Sequence, residues 1–334
     1  MTLADFWFIA ITVLWMGFFI LEGFDFGVGM LHGPVGKDEA GRRAAIATIG
    51  PLWDGNEVWL VVAGAAIFAA FPGWYATMFS GLYLAMVLLL VALILRGTSF
   101  EFRSKASSQR SRDTFSHLLT IASAVAPFLL GVALGDLLVG LPIGADQEFT
   151  GTFLDLLQPY ALFVGITFVV LAAMHGATFL TLKTTGEVRE RAARLARRIA
   201  PVAAVVVLIF AIWTHATAGK GFFPNVIEIA VVLAVLAAAW LIKENREGWA
   251  FTITTIAMAS TVLAIFTDLY PRVMVSSTSA AYSLTVANTA SGSYALKVMT
   301  VVLVVFLPAV LIYQSWTYHV FRQRISHHDL RGDD

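Results

Sequence analysis

Residues 50 to 71 read GPLWDGNEVWLVVAGAAIFAAF. From Val58 onward the stretch is apolar enough to cross a bilayer as a helix, yet it opens with Asp54, Asn56 and Glu57. A charge placed in hydrocarbon costs at least ~2.5 kcal/mol, so side chains of this kind are normally paired, hydrated or in use. The reading of this stretch, membrane helix or soluble segment, depends on what surrounds it.

The chain of 334 residues is 58% hydrophobic and 13% charged, with a mean hydropathy of +0.79. That is far more apolar than a soluble globular protein of similar size. Acidic and basic residues number 22 each, so overall charge argues neither for nucleic acid nor for an acidic substrate. The absence of cysteine excludes disulfides, thiolate iron–sulfur clusters, thiolate-ligated haem and cysteine redox chemistry within the chain. A redox centre here needs histidine or a partner. The first apolar segment begins at Phe6 without a basic leader or a small-residue cleavage pattern, and it reads as a retained helix.

Runs of ~20 apolar residues span ~30 Å of hydrocarbon as helix. Nine stand in the sequence, with cores near 6–31, 50–71, 74–95, 116–140, 159–182, 199–217, 225–242, 249–270 and 296–320. They are continuously apolar rather than alternating, which predicts helices and not a barrel. The expected fold is therefore all-α, a polytopic membrane protein with nine transmembrane helices forming one domain over residues 1–334. Basic residues gather in alternate connections: Lys37, Arg42 and Arg43; Arg96, Arg103, Lys105, Arg110 and Arg112; Lys183 and the arginines from Arg189 to Arg198; Lys243 and Arg246; and Arg322, Arg324 and Arg331 in the tail. The other connections hold only Lys220 and Arg272, with Lys297 opening the last helix. Short basic loops stay cytoplasmic, which predicts an outside N-terminus and a cytoplasmic C-terminus. Trp7, Trp53, Trp74, Trp213, Trp249 and Trp316 lie near predicted helix ends, as indoles at the headgroup level do. Segments 141–158 and 271–295 read as polar connections, the second long enough to serve a function or pack against a partner.

With this topology, Asp54, Asn56 and Glu57 fall in the first turns of helix two, ~6–10 Å inside the cytoplasmic face at 1.5 Å per residue. Helix one, running the other way, brings Glu22 and Asp25 to the same depth. Within each helix the two acids are three residues apart and share a face, and the short link makes the helices antiparallel neighbours. Four acids at one depth suit a proton relay. The plainer alternative is a set of helix-end charges facing headgroups and water, those of helix two favoured by its dipole. Gly23 and Gly27 form a G-x-x-x-G beside these acids, a spacing that lets another helix approach closely and turns Asp25 toward protein. Arg96, Glu101 and Arg103 at the cytoplasmic end of helix three have two readings, pairing with the acids and positive-inside anchoring, of which the second is favoured. His175 alone lies well inside a helix, a buried and hydrogen-bonded histidine; His32, His117, His215 and His319 lie near helix ends, and His327 and His328 in the tail. The inventory offers no facing pair for a bis-histidine haem. No Walker loop, dinucleotide fingerprint or H-E-x-x-H stands in a suitable context.

The blocks GFDFGVGML (23–31), GPLWDGNEVWL (50–60), FEFRSK (100–105) and VMVSSTSAAYSLT (273–285) closely resemble subunit II of cytochrome bd-type quinol oxidases, in order and over nearly the whole chain. The resemblance implies a membrane complex that oxidises quinol, reduces dioxygen to water and takes its protons from the cytoplasm. It implies two four-helix bundles plus one peripheral helix, in the bacterial cytoplasmic membrane. The cofactors it implies are haem b and haem d, ligated by the partner, subunit I, and none by this chain. Some members bind a quinone as a structural lipid in this subunit. The implied partners are subunit I, lipid with its quinol pool, and small accessory subunits. The family's aspartate in the WDGN block contributes to a proton path; that role carries onto Asp54 and, through the GFDFG block, onto Asp25. Glu22 and Glu57 join them from position alone. Two other readings compete: a proton-coupled secondary transporter, against which stands the lack of repeat symmetry and of broken helices, and a scaffold whose acids serve assembly only.

Overall fold

Thr2 and Asp5 start the first helix by bonding each other's backbone amides, a reciprocal cap that fixes where the chain enters its first apolar run. The computed structural model describes residues 2–221 and 224–326; Arg331, His327 and His328 lie outside the described residues. The chain forms α1 (Leu3–Val35), α2 (Glu39–Ala47), α3 (Trp53–Ala70), α4 (Pro72–Gly81), α5 (Tyr83–Arg103), α6 (Gln109–Val139), α7 (Pro159–Lys183), α8 (Gly186–Ala218), α9 (Val226–Lys243) and α10 (Glu247–Leu269). A two-stranded hairpin, β1 (Arg272–Met274) and β2 (Leu284–Thr285), and a single turn, α11 (Val286–Thr289), lead into α12 (Ser293–Val320).

Among the described residues, eight helices are long and apolar enough to cross a membrane: α1, α5 to α10 and α12. The expected second span forms a helix, α3, of 18 residues, but Asp54, Asn56 and Glu57 in its first two turns keep it out of that set. The expected 74–95 span is two pieces: Pro72 opens α4, the helix lapses at Leu82, and α5 runs on to Arg103.

α1 is the hub, touching α3, α6, α7 and α10. It meets α7 backbone to backbone, since a Cβ on Gly27 would lie 2.0 Å from the Ala172 carbonyl and 2.6 Å from the Gly176 Cα. The close approach read from G-x-x-x-G is thus real at Gly27, whereas Gly23 faces the side chains of Met258 and His175. α12 lies outermost, against α3 and α1. His175 is buried as expected, its ring nitrogens 2.8 Å from the Thr254 hydroxyl and 3.2 Å from the Ile20 carbonyl.

Two expectations are corrected. Trp7 and Trp74 are core residues and not headgroup anchors: Trp74 is fully buried, and the Trp7 indole donates to the Leu296 carbonyl and Thr300 hydroxyl of α12. Nor are 141–158 and 271–295 plain polar connections. Leu141, Ile143, Val273, Met274 and Leu284 are all fully buried, and the Leu141 and Val275 backbones pair across the two segments. Their serines and threonines satisfy local backbone while alternate apolar side chains cap the helix ends.

Candidate functional site

The end of α1, the start of α3 and the end of α5 converge where the acids of the sequence lie. Glu22 and Asp25 are both fully buried, one turn apart on α1, and their carboxyl groups interact electrostatically. Glu57, with 22% of its side chain exposed, approaches from α3. Between them stands Arg96 of α5, itself fully buried. Its Nη1 is ion-paired with Glu22 and lies 3.5 Å from Glu57 Oε2. The Arg96 guanidinium also lies over the rings of Phe26, 4.8 Å from the centroid, and Phe100, 5.1 Å away. Each such aromatic face adds about 0.5–2 kcal/mol to holding a desolvated cation.

Asn56, fully buried on α3, ties this cluster to the periphery. Its amide donates to Asp25 Oδ2 at 2.6 Å and to the Leu21 carbonyl at 3.3 Å. Its oxygen accepts from Gln314 Nε2 and from the Tyr318 hydroxyl, both at 2.9 Å and both on α12. The result is a continuous polar thread, Tyr318 to Asn56 to Asp25 to Glu22 to Arg96 to Glu57, crossing a core that is otherwise apolar. Several of its atoms lack a protein partner although buried: Glu22 Oε2, Asp25 Oδ1, and Nε and Nη2 of Arg96. Buried polar atoms in that state are costly.

Of the four acids expected to gather, the structure brings together three. Asp54 is exposed and makes no hydrogen bond or ion pair among the described residues; it lies at the junction of two surface grooves, of ≈ 1020 and ≈ 980 Å³, whose walls are mostly apolar. Asp54 and Glu57 still feel one another electrostatically across the turn that separates them.

For Arg96 the less favoured of the two sequence readings is the one the structure shows: it is not a loop anchor but the cluster's counter-ion, and the available signal was its isolation at the end of an apolar run, seven residues before the next base, Arg103. Arg103 is also buried, gripping both oxygens of Glu39 on α2 at 2.8 and 2.9 Å and the Ser116 hydroxyl at 2.7 Å. Glu101 alone of that trio is exposed, paired with Lys105 one turn on.

Membrane-crossing helices enclosing a charged, hydrogen-bonded cluster near one end define an integral membrane protein that handles charge within its span. The chain belongs to the cytochrome bd terminal oxidase subunit II family, whose model matches residues 3–321. Among curated relatives, it is 44% identical to cytochrome bd ubiquinol oxidase subunit 2 of Bacillus subtilis, over 98% of each chain. It is 34% identical to cytochrome bd-I ubiquinol oxidase subunit 2 of Escherichia coli K12, over 97% of this chain and 95% of that one. Its fold matches a chain in the structure of bd oxidase from Geobacillus thermodenitrificans with a TM-score of 0.76 at 18% identity, covering 96% of this chain and 99% of the other.

Proposed function

We propose that this chain is the haem-free subunit of a quinol-oxidising, dioxygen-reducing complex in the bacterial cytoplasmic membrane, and that it carries protons toward the oxygen-reducing haem of subunit I. The observation that carries this reading is the burial of Glu22 and Asp25 beside Arg96, with the half-buried Glu57 linking them to the exposed Asp54 one helical turn away. Dioxygen reduction to water consumes protons, so a haem enclosed by protein needs a polar route from water. Asp54 receives the proton at the surface, Glu57 takes it inward, and Glu22 and Asp25, one turn apart on α1, pass it along. Arg96 keeps the acids at one place without trapping the proton, because its guanidinium is always charged and never competes for it.

The donor set of this chain does not fit a haem. Both ring nitrogens of His175 are engaged, His32 Nδ1 is held by the Gly29 carbonyl at 2.8 Å, and no group of three metal-ligating side chains gathers among the described residues. In this reading the haems belong to subunit I, and the part of this chain is to carry protons.

In this reading α3 is the ninth span: 18 residues reach ~27 Å at 1.5 Å per residue, its polar opening turns lying at the cytoplasmic face. α1, α3, α5 and α6 form one four-helix group, α7 to α10 the other, and α12 lies outside both. The whole chain is one transmembrane domain, with its N-terminus outside and its C-terminus cytoplasmic, the side of the basic connections.

The test is oxygen consumption per haem by purified complex carrying Asp54→Asn. The proposal expects a large loss with the haem spectrum intact. Normal turnover per haem, with only the amount of complex reduced, would leave Asp54 and its neighbours an assembly role.

A further inference from the structure

A second acid pair lies at the other end of the molecule, in helices that the proton path above does not use. Glu228 opens α9 and Asp268 closes α10; they are 0% and 1% exposed. Their end is the one where α1 begins, since the neighbouring Tyr270 hydroxyl donates to Asp5 at 3.1 Å. Asn225 binds both acids: its backbone amide donates to Glu228 Oε2 at 2.7 Å and its side-chain amide to Asp268 Oδ1 at 2.9 Å. Each acid has one further oxygen, Glu228 Oε1 and Asp268 Oδ2, that is buried without a conventional donor. The two carboxyls lie close enough to interact electrostatically.

Helix capping does not account for this arrangement. The cap uses one oxygen of Glu228 and the Asn225 side chain, and an amide at position 268 would serve Asn225 equally well. Charge does not account for it either. No guanidinium stands between these acids as Arg96 stands between Glu22 and Glu57. Among the described groups facing the pair, α8 supplies His215, 3.2 Å from Glu228 Oε2, and α7 supplies Tyr160, whose hydroxyl is bonded to Thr214. Lys220 interacts with Asp268 only from the exposed rim, with Arg272 nearby, and its ammonium donates to the carbonyls of Thr267 and Tyr270 at 2.9 and 2.7 Å. Two buried carboxylates bridged by one asparagine, with no guanidinium or ammonium ion-paired to either among the described residues, repel one another, and a shared proton relieves that repulsion.

We infer that Glu228 and Asp268 form a proton-binding site, holding one proton between Glu228 Oε1 and Asp268 Oδ2 and exchanging it with water through His215. His215 retains 16% side-chain exposure and is the group that reaches both solvent and the pair. A proton arriving from hydronium at its Nε2 releases the Nδ1 proton to Glu228, leaving water and neutral imidazole, so the exchange needs no other reactant. The site stands independently of the proton path proposed for the opposite end.

Infrared titration of the purified complex tests it, following the C=O stretch of protonated carboxyl groups against pH and after transfer to D2O. The expected result is a band at neutral pH that disappears in Asp268→Asn, a variant that keeps an acceptor for Asn225 and so preserves the cap. His215→Gln should keep the band but slow its exchange in D2O on the order of a hundredfold, the lower end of what a positioned proton-transfer group contributes. Superimposable spectra for Asp268→Asn and the unaltered complex across the titration would overturn the inference. So would displacement of the band by added sodium or potassium at constant pH, which would make the pair a metal-cation site.

Discussion

Arg96 offsets Glu22 and Glu57 with a single guanidinium, and among the described residues no other cation is ion-paired with the acids at this end of α1. Arg96→Leu leaves buried carboxylates without a counter-ion and should destabilise the protein by about 3–5 kcal/mol, the usual cost of breaking a buried pair from one side. The readout is the thermal unfolding midpoint and the amount of complex recovered from membranes; adding Glu22→Gln to Arg96→Leu should restore part of both, and no restoration would count against the pairing. Asn56→Leu removes the partner of Asp25, Gln314 and Tyr318 together, and by the cost of unsatisfied buried groups should lose roughly 1–3 kcal/mol. Glu22 and Asp25 were legible because a three-residue spacing inside an apolar run puts both on one buried face. Asp54 and Glu57 share that spacing, but α3 starts at Trp53, so the first turn of the helix leaves Asp54 outside the packed face. Arg96 was open to both readings in the sequence, and anchoring was favoured because charge counting treats an arginine at a helix end as an anchor and its partners lie on other helices.

At the level of elements, the α1–α7 crossing depends on the absence of side chains at Gly27 and Gly176. Gly27→Ala drives a methyl into the Ala172 carbonyl and should cost at least ~1–3 kcal/mol, as overpacking does. Gly33→Ala, six residues along the same helix with no atom within 4 Å of the new methyl, should be near neutral. Comparing the two unfolding midpoints checks the assignment, and equal shifts would refute it. The helices themselves were readable from hydropathy, since length and continuity of apolar residues suffice in a bilayer. The tertiary role of an indole was not: Trp7 and Trp74 sit at helix ends by sequence, yet α12 and the core cover them. Segment 271–295 looked polar because its serines and threonines outnumber the few side chains, Val273, Met274 and Leu284, that anchor it.

For the whole molecule, two buried acid pairs occupy opposite ends of the bundle, one organised by Arg96 and the other by Asn225. The first of them is the proposed proton route to a haem of subunit I. Expressed and purified without subunit I, the chain should therefore show no haem absorption; a stoichiometric haem band would contradict that division of labour. The central claim is that the cluster around Arg96 conducts protons, and the most direct test is oxygen consumption per haem by complex carrying Asp25→Asn, beside the unaltered complex. A fall on the order of a hundredfold, with haem content and spectrum unchanged, is the predicted result, in line with the loss of one positioned proton-transfer group. Unchanged turnover per haem would contradict the account and leave Glu22, Asp25 and Arg96 as parts of the frame alone.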